Sequence, residues 1–578
     1  MKAVLVPLGL ALGVPLAVTA CAHAPRPFPL RDPLATDTDV APVSVACRPD
    51  PSPKEPRRMA CAPREYTSPF VRDRIDNIAF APGSRLFSVD VAGEAANANS
   101  LDEVADSAWF ENRRVRPTAE QLTMGACKPE DLLPAEAADG AWIIDHGKDN
   151  GATPGFRVTI PGKGQYLLKA DNPQHPELAS AASAIGAALY HAVGYPTSCE
   201  QVVLIKRSQL QLTPGLVSID NENNKHPFDD AALQKVLADS SHVGDLTRMQ
   251  ASKWLPGYTI GPFRYEHTRE DDPNDIIAHE NRRELRGNRV LAAWLNHWDS
   301  REQNTMDVWM AVDAKNKRSS PGYVRHYMLD TSEAFGGGAD PDALTIRLGF
   351  SYIVDFGDIA FDLLTVGLVS RPWDRTHQVK GREKFGLFSA QDFDPPGWKG
   401  LYPNPAFVRM QERDAAWMAR ILARFSADDV RALVAAGRFS DPSDADYLTQ
   451  ILLERQRRIL ARYLTKLSPL ADVHADLAQI CATDLARLRG VVAPDQLRYT
   501  VVQRSAGKQL ALEPAVQPDG VVCFKPQPVA PAQLPDTAAE RLVIFEVRNG
   551  TAAGPLEIHA YDLDARGMRV VGLVRPAP

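Results

Sequence analysis

The stretch Asn296-His297-Trp298-Asp299-Ser300-Arg301-Glu302-Gln303-Asn304 decides how this chain is read. It follows a run with helical periodicity, Arg283–Trp298, and precedes an apolar strand-like run, Val308-Trp309-Met310-Ala311-Val312. After a turn over Asn316–Gly322, Tyr323–Leu329 is strand-like again and runs into Asp330. The order is helix, loop with Asp and Asn, β-hairpin, Asp. Such an order brings several oxygen ligands to one place. The Asp299 carboxylate is suited to orient or deprotonate an acceptor hydroxyl. Asn304, five residues on, can turn back toward a cation on the same loop. Asp330, at a strand end, is placed to hold Mg²⁺ against phosphate oxygens. Arg301 can neutralise charge on a transferring phosphoryl group.

Working upstream, Phe156–Ile160 and Gln165–Lys169 read as strands joined by the turn Pro161-Gly162-Lys163-Gly164. The glycine-containing loop His146–Gly155, with Gly151 and Gly155, precedes them, and a short run ending at Ile143-Ile144 precedes that loop. Gln165, Leu167 and Lys169 share one face of their strand, so Lys169 can reach into a cleft beneath the loop. Glu177–Val193 is Ala-rich and helical, stopped by Gly194 and Pro196. Glu200–Ile205 reads as a further strand.

The loop resembles the catalytic loop of the protein-kinase-like superfamily: an Asp, a basic residue at +2 and Asn at +5. Asp299, Arg301 and Asn304 match, with Arg for the more usual Lys, and His297-Trp298 stands where eukaryotic protein kinases have His-Arg. The upstream form is more similar to the atypical branches, phosphatidylinositol 3/4-kinase-like and HipA-like. The resemblance covers about Ile143–Tyr463. It implies a two-lobed core that binds ATP and Mg²⁺. Asp299 and Arg301 would be catalytic, Asn304 and Asp330 metal ligands, and Lys169, Glu177, Gly151 and Gly155 cofactor-binding. Glu177 is the acidic candidate to pair with Lys169. A literal Asp355-Phe356-Gly357 lies 51 residues after Asn304, beyond the hairpin, so Asp330 is taken as the metal-binding Asp.

The N-terminus supplies a cellular address. Met1–Ala20 carries one Lys and then an uncharged run interrupted by Pro7 and Pro15, the pattern of a secretory leader. Val18-Thr19-Ala20-Cys21 resembles a bacterial lipobox, which implies a lipid on Cys21. Ala22-His23 offers no retention Asp, so the expected address is the cell envelope, the outer membrane before the inner. With Cys21 set aside, Cys47, Cys61, Cys127, Cys199, Cys481 and Cys523 form an even set suited to an oxidising compartment. Six cysteines allow 15 pairings. Proximity in sequence favours Cys47–Cys61 and Cys481–Cys523, leaving Cys127–Cys199.

The 578 residues suggest roughly four domains. A net charge of −7 argues against a dedicated nucleic-acid binder. Between Ala22 and Ile75, 11 of 54 residues are Pro, the composition of an extended tether. The expected class is therefore α+β, in five parts. These are a leader (1–20), a Pro-rich tether (21–75), an N-terminal extension with a β-rich lobe (76–270), a helical lobe (271–476) and a small β domain (477–578). Pro405–Phe425 is expected to be one helix, and a Ser443/Asp446 capping box to open another that runs to about Leu464. The clusters Arg282-Arg283-Arg286 and Arg455-Arg457-Arg458-Arg462 read as solvated helix faces, and His146, His297 and His326 as structural. Two functions remain in view. One is a lipid-anchored kinase-like phosphotransferase with an unidentified hydroxyl acceptor. The other is a catalytically inactive kinase-fold or structural envelope lipoprotein that binds a ligand or an envelope protein.

Overall fold

The computed structural model describes residues 28–30, 37–49, 59–87, 93–134, 136–149, 153–171, 175–220, 224–336, 347–505, 507–528 and 541–577. The chain is α+β. Alternation of apolar residues in Trp142–Lys148 (β1), Gly155–Ile160 (β2) and Gly164–Ala170 (β3) folds them into an antiparallel meander. Helix Leu178–Val193 (α1) follows, then Glu200–Ile205 (β4), Leu210–Leu212 (β5), His242–Val243 (β6) and Leu246–Lys253 (β7). The sheet runs β6-β7-β3-β2-β1-β5, with β4 also paired to β7. Trp142, Phe156, Tyr166 and Leu168 line one face and pack against Leu233, Val236 and Leu237 of the helix Asp230–Ala238. Period-2 alternation turns Lys169 to the opposite face.

A second, three-stranded sheet joins Tyr258–Thr259 (β8), Thr305–Ala311 (β9) and Gly322–Met328 (β10). Helix Arg283–Leu295 (α2) leads into it and is buried along nearly its whole length. Glu412–Leu422 (α4) and Pro442–Tyr463 (α6) pack on α2, Ala427–Ala435 (α5) packs on α6 and α1, and Phe356–Thr365 (α3) lies outside this core. The expected helix Pro405–Phe425 divides at Met410, because Asp414 caps the backbone of Gln411 and starts α4 afresh. The cap of α6 is Asp441, whose carboxylate accepts from the Ser443 amide, with Pro442 at the first helical position.

The C-terminal region is two antiparallel sheets. One joins Leu470–Ala475, Ile480–Asp484, Val521–Phe524 and Pro514–Val516; the other joins Lys508–Leu512, Thr500–Ser505, Leu542–Arg548, Leu556–Asp562 and Met568–Val574. Their inner faces share Leu470, Ile480, Val543, Phe545, Leu556 and Ile558. The disulfides are Cys47–Cys61, Cys127–Cys199 and Cys481–Cys523, the chemistry of an oxidising, extracytoplasmic compartment. Among the described residues no helix is long and apolar enough to cross a membrane.

Three further expectations are corrected. The described parts of the expected tether are packed rather than extended into solvent. Val43 exchanges both backbone hydrogen bonds with Gly322, and the Tyr66 amide donates to the Ile260 carbonyl. An extended, proline-rich chain keeps its remaining N–H and C=O groups free to extend a sheet, which is the use made of them here. Second, Arg282, Arg283 and Arg286 are buried. Arg283 meets Asp102 at 2.7 Å and Arg286 donates to the Glu280 carbonyl at 2.7 Å. Asp102 also receives Arg420 and Arg575, tying α2, α4 and the last strand together. Third, Arg455 is buried. Its guanidinium donates to the Ala293 and Trp294 carbonyls at the end of α2 and lies over the Phe393 ring. A charged helix face read from spacing becomes the C-terminal cap of another helix.

Candidate functional site

Helix α2 ends at Asn296, which takes the left-handed conformation (φ 51°). The chain then turns through Asp299–Asn304 before β9 begins. The Asn304 side-chain amide closes this loop by donating to both the carbonyl and the carboxylate of Asp299, each at 2.9 Å. The Arg301 guanidinium lies 2.7 Å from the other Asp299 oxygen. The Leu329 amide donates to the Asn304 carbonyl, so the end of β10 is fixed against the same loop. Asp330 follows at φ +47°, a backbone conformation that L side chains adopt at a cost and that tertiary packing must hold.

The sheet supplies the opposite wall. Lys169, near the end of β3, places its ammonium 2.9 Å from the Asp330 carboxylate. Ser332 donates to Asp330 at 2.7 Å and also meets Glu333. Helix α1 braces both sides. Thr331 donates to the Ala182 and Ser183 carbonyls, in the space left by the missing side chain of Gly186. The Tyr190 hydroxyl meets His297 Nδ1 at 2.9 Å, and Ser300 meets the same nitrogen at 3.0 Å.

The electrostatics divide the carboxyls. Burial works against ionisation of Asp330, yet the Lys169 ammonium beside it holds it well below the usual carboxylate range. Lys169 is correspondingly raised against the effect of its own burial. Asp299 is pushed up by burial, with Arg301 and Asn304 opposing. Glu333 is pushed up to about 8, by burial first and then by repulsion from Asp330 and Asp299. Burial and the neighbouring Lys169 press Lys148 down to about 8. Burial lowers His297 to about 4, so its ring is neutral and serves as a structural bridge.

Lys169, Asp299, Arg301, Asn304 and Asp330 thus converge. Glu177 does not join them. It sits before α1 at φ +72°, accepting from Lys384 and from the Ser440 amide, each at 3.1 Å. The carboxylate at Lys169 is that of Asp330 instead. Gly155 pairs with Lys169 across β2 and β3, where a side chain would collide with the Leu168 carbonyl; it serves a close strand approach. Asp355 caps α3 and bonds Lys399 at 2.6 Å, so Asp355-Phe356-Gly357 is a helix start. Cys21 and Gly151 lie outside the described residues.

Sequence reasoning missed Lys148 and Glu333. Lys148 lies in the stretch His146–Gly155 whose sequence reads as a glycine-containing loop but whose first three residues end β1, and Glu333 lies three residues past Asp330. It also missed a strap. Ser68 and Asp73 accept from Gln303, and the Tyr66 hydroxyl donates to Glu302 at 2.7 Å, so residues 66–73 pack against the loop itself. Among the described residues no three His, Cys, Asp or Glu side chains form a preformed metal cluster. No family model, no curated protein and no solved structure matches the chain.

Proposed function

We propose that this chain is an exported, lipid-anchored protein with a two-lobed kinase-like core that transfers a phosphoryl group from ATP to a hydroxyl acceptor. The observation that carries the reading is the Lys169–Asp330 pair, set across from the Asp299–Asn304 loop. The donor set fits Mg²⁺ in its chemistry. Asp330 and Asp299 bring two carboxyls to one place, and Glu333, raised by burial first and by those two carboxyls second, is a third oxygen donor that a divalent cation would favour in its ionised form. Asn304 and Asp330 would hold the metal, which when bound neutralises phosphate oxygens and orients them.

The chain's own residues do the rest. Lys169, freed from Asp330 if that carboxylate held the metal, would contact phosphate oxygens. Asp299 accepts the acceptor's hydroxyl proton on a carboxylate oxygen, and Asn304 and Arg301 fix its orientation. Arg301 offsets charge that builds on the transferring group. The Tyr190–His297–Ser300 bridge keeps the loop on α1, so acid, amide and lysine hold a common frame.

Thermal unfolding of the chain with and without millimolar ATP and Mg²⁺ tests this, beside Asp330→Asn. Ligand at 100 times Kd stabilises by about 2.7 kcal/mol. A Mg²⁺-dependent rise in wild type that the variant lacks supports the reading. No rise in wild type favours the second reading, a catalytically inactive or structural envelope lipoprotein that binds a ligand or protein partner.

A further inference from the structure

Two helices of this protein are built inside out. In α3, Asp355, Asp358 and Asp362 face the body of the protein: Lys399 bonds Asp355 at 2.6 Å, and Arg371 bonds Asp362 at 2.9 Å and Asp358 at 3.2 Å. Its apolar residues face outward, and none of its residues is buried. Ile359, Leu363 and Leu364 follow helical spacing, Leu364 is 84% exposed, and Leu368 just beyond the helix is 88% exposed. The helix over 70–87, which passes through a π turn at Asp76–Phe80, repeats the pattern. Asp73 is held by Gln303 and Tyr402, and Asn77 is buried, while Val71 and Phe80 are each 68% exposed.

Both helices flank one short segment. The Tyr402 hydroxyl bonds Asp73, and the Ile353 amide, just before α3, donates to the Leu401 carbonyl. The Leu401 amide in turn donates to the Trp298 carbonyl, one residue before Asp299. The two apolar faces therefore border the same side of the Asp299 loop. The ion pairs beneath α3 and the hydrogen bonds beneath the other helix stop them from rolling inward to bury those faces. Contiguous exposed apolar residues on two neighbouring helices mark an interaction surface.

We propose that this rim seats on a lipid bilayer, with both helices lying in the interface and the Asp299 loop turned toward the membrane. The inference rests on the lipid-anchored part of the reading above and not on phosphoryl transfer. Cys21 lies seven residues before Phe28, whose carbonyl accepts from Tyr561 on the C-terminal sheet. Seven extended residues reach at most about 25 Å. A lipid on Cys21 therefore holds the body against a bilayer, the nearest large apolar phase. Amphipathic helices with one polar and one apolar face bind such interfaces through the apolar face.

The test labels the full chain, produced with its own leader, at Leu364→Cys, and in a second preparation at Ile75→Cys, with an environment-sensitive fluorophore. Val312→Cys, exposed just past the end of β9 that is remote from the Asp299 loop, is the control. The probe is vesicles of phosphatidylethanolamine and phosphatidylglycerol, with and without spin-labelled lipid. The expected result is a blue shift and loss of intensity to the spin label at Leu364→Cys and Ile75→Cys, with Val312→Cys unchanged. Labels at 364 and 75 that ignore the vesicles overturn the proposal. So does a shift that grows with protein concentration and escapes the lipid quencher, the signature of a second copy on the rim, and so does equal quenching at all three positions. The mass of the Cys21 peptide reads the anchor separately, so a missing anchor and a failed docking surface give different results.

Discussion

Two of the clusters that bring a half-buried lysine against carboxylates are not alike. In the first, Lys384 bridges Glu177 and Asp444 at 3.1 and 2.6 Å, and Arg382 also binds Asp444. There the Glu177 carboxyl is lowered against its burial, by the Ser440 amide and Lys384, and Lys384 is raised. Each shift deepens the charge already present. In the second, Lys169 and Asp330 shift the same way, but Asp299 and Glu333 go up and Lys148 goes down. Groups within one small volume are pushed apart in pKa. The first pattern is a clasp between the start of α1 and the α5–α6 turn. The second is the pattern expected of the site proposed above, where charge arrives with a ligand.

Removing one partner of the clasp should have the largest effect on stability. Glu177→Ala leaves Lys384 short of a partner and the Ser440 amide unsatisfied, with an expected loss of about 3 kcal/mol in urea unfolding. A loss under about 1 kcal/mol, the range of exposed pairs, would remove the clasp. Asp330→Asn should cost much less, about 1 kcal/mol, because the lost Lys169 pairing is offset by relief of repulsion on Asp299 and Glu333. Equal costs for the two variants would make the second cluster a clasp as well.

The remaining effect is a slope. Glu333 titrates near 8 in the folded chain, against 4.5 for an ordinary glutamate. Between those values the folded state holds the proton more firmly than the unfolded state does. The stability tied to this group is present below about 4.5 and is lost as pH rises toward 8. Thermal unfolding of wild type across pH 5 to 9 should therefore fall in that window, and Glu333→Gln should flatten the fall. An unchanged slope in the variant would mean that neither burial nor the neighbouring Asp330 and Asp299 raises Glu333.

The residues explain why some of this was legible beforehand. The meander β1–β3 announces itself through alternation and through the Pro161–Gly164 turn, both local signals. The placing of Asp330 just beyond β10 follows from the same alternation. Glu177 was legible as a helix-start acid, but its neighbours Lys384 and Ser440 lie more than 200 residues away, and no local signal points to them. Arg455 has the spacing of a surface face, and only the end of α2 makes it a buried cap. The outward face of α3 could not be read at all. Its sequence is that of an amphipathic core helix, and periodicity does not say which face turns inward.

The sequence by itself determined the α+β class, the oxidising compartment implied by an even cysteine set, and the order of elements carrying Lys169, Asp299, Asn304 and Asp330. These depend on side-chain period, turn residues and cysteine count, all properties of neighbouring positions. The tertiary structure alone decided that Lys169 meets Asp330 and Glu177 meets Lys384, that the proline-rich segment docks on β8–β10, and that two helices present their apolar faces outward. Those outcomes are contacts between distant segments. Burial and charge pairing are settled only when the segments meet, because the dielectric and the partners that fix each group's energy exist nowhere in the unfolded chain.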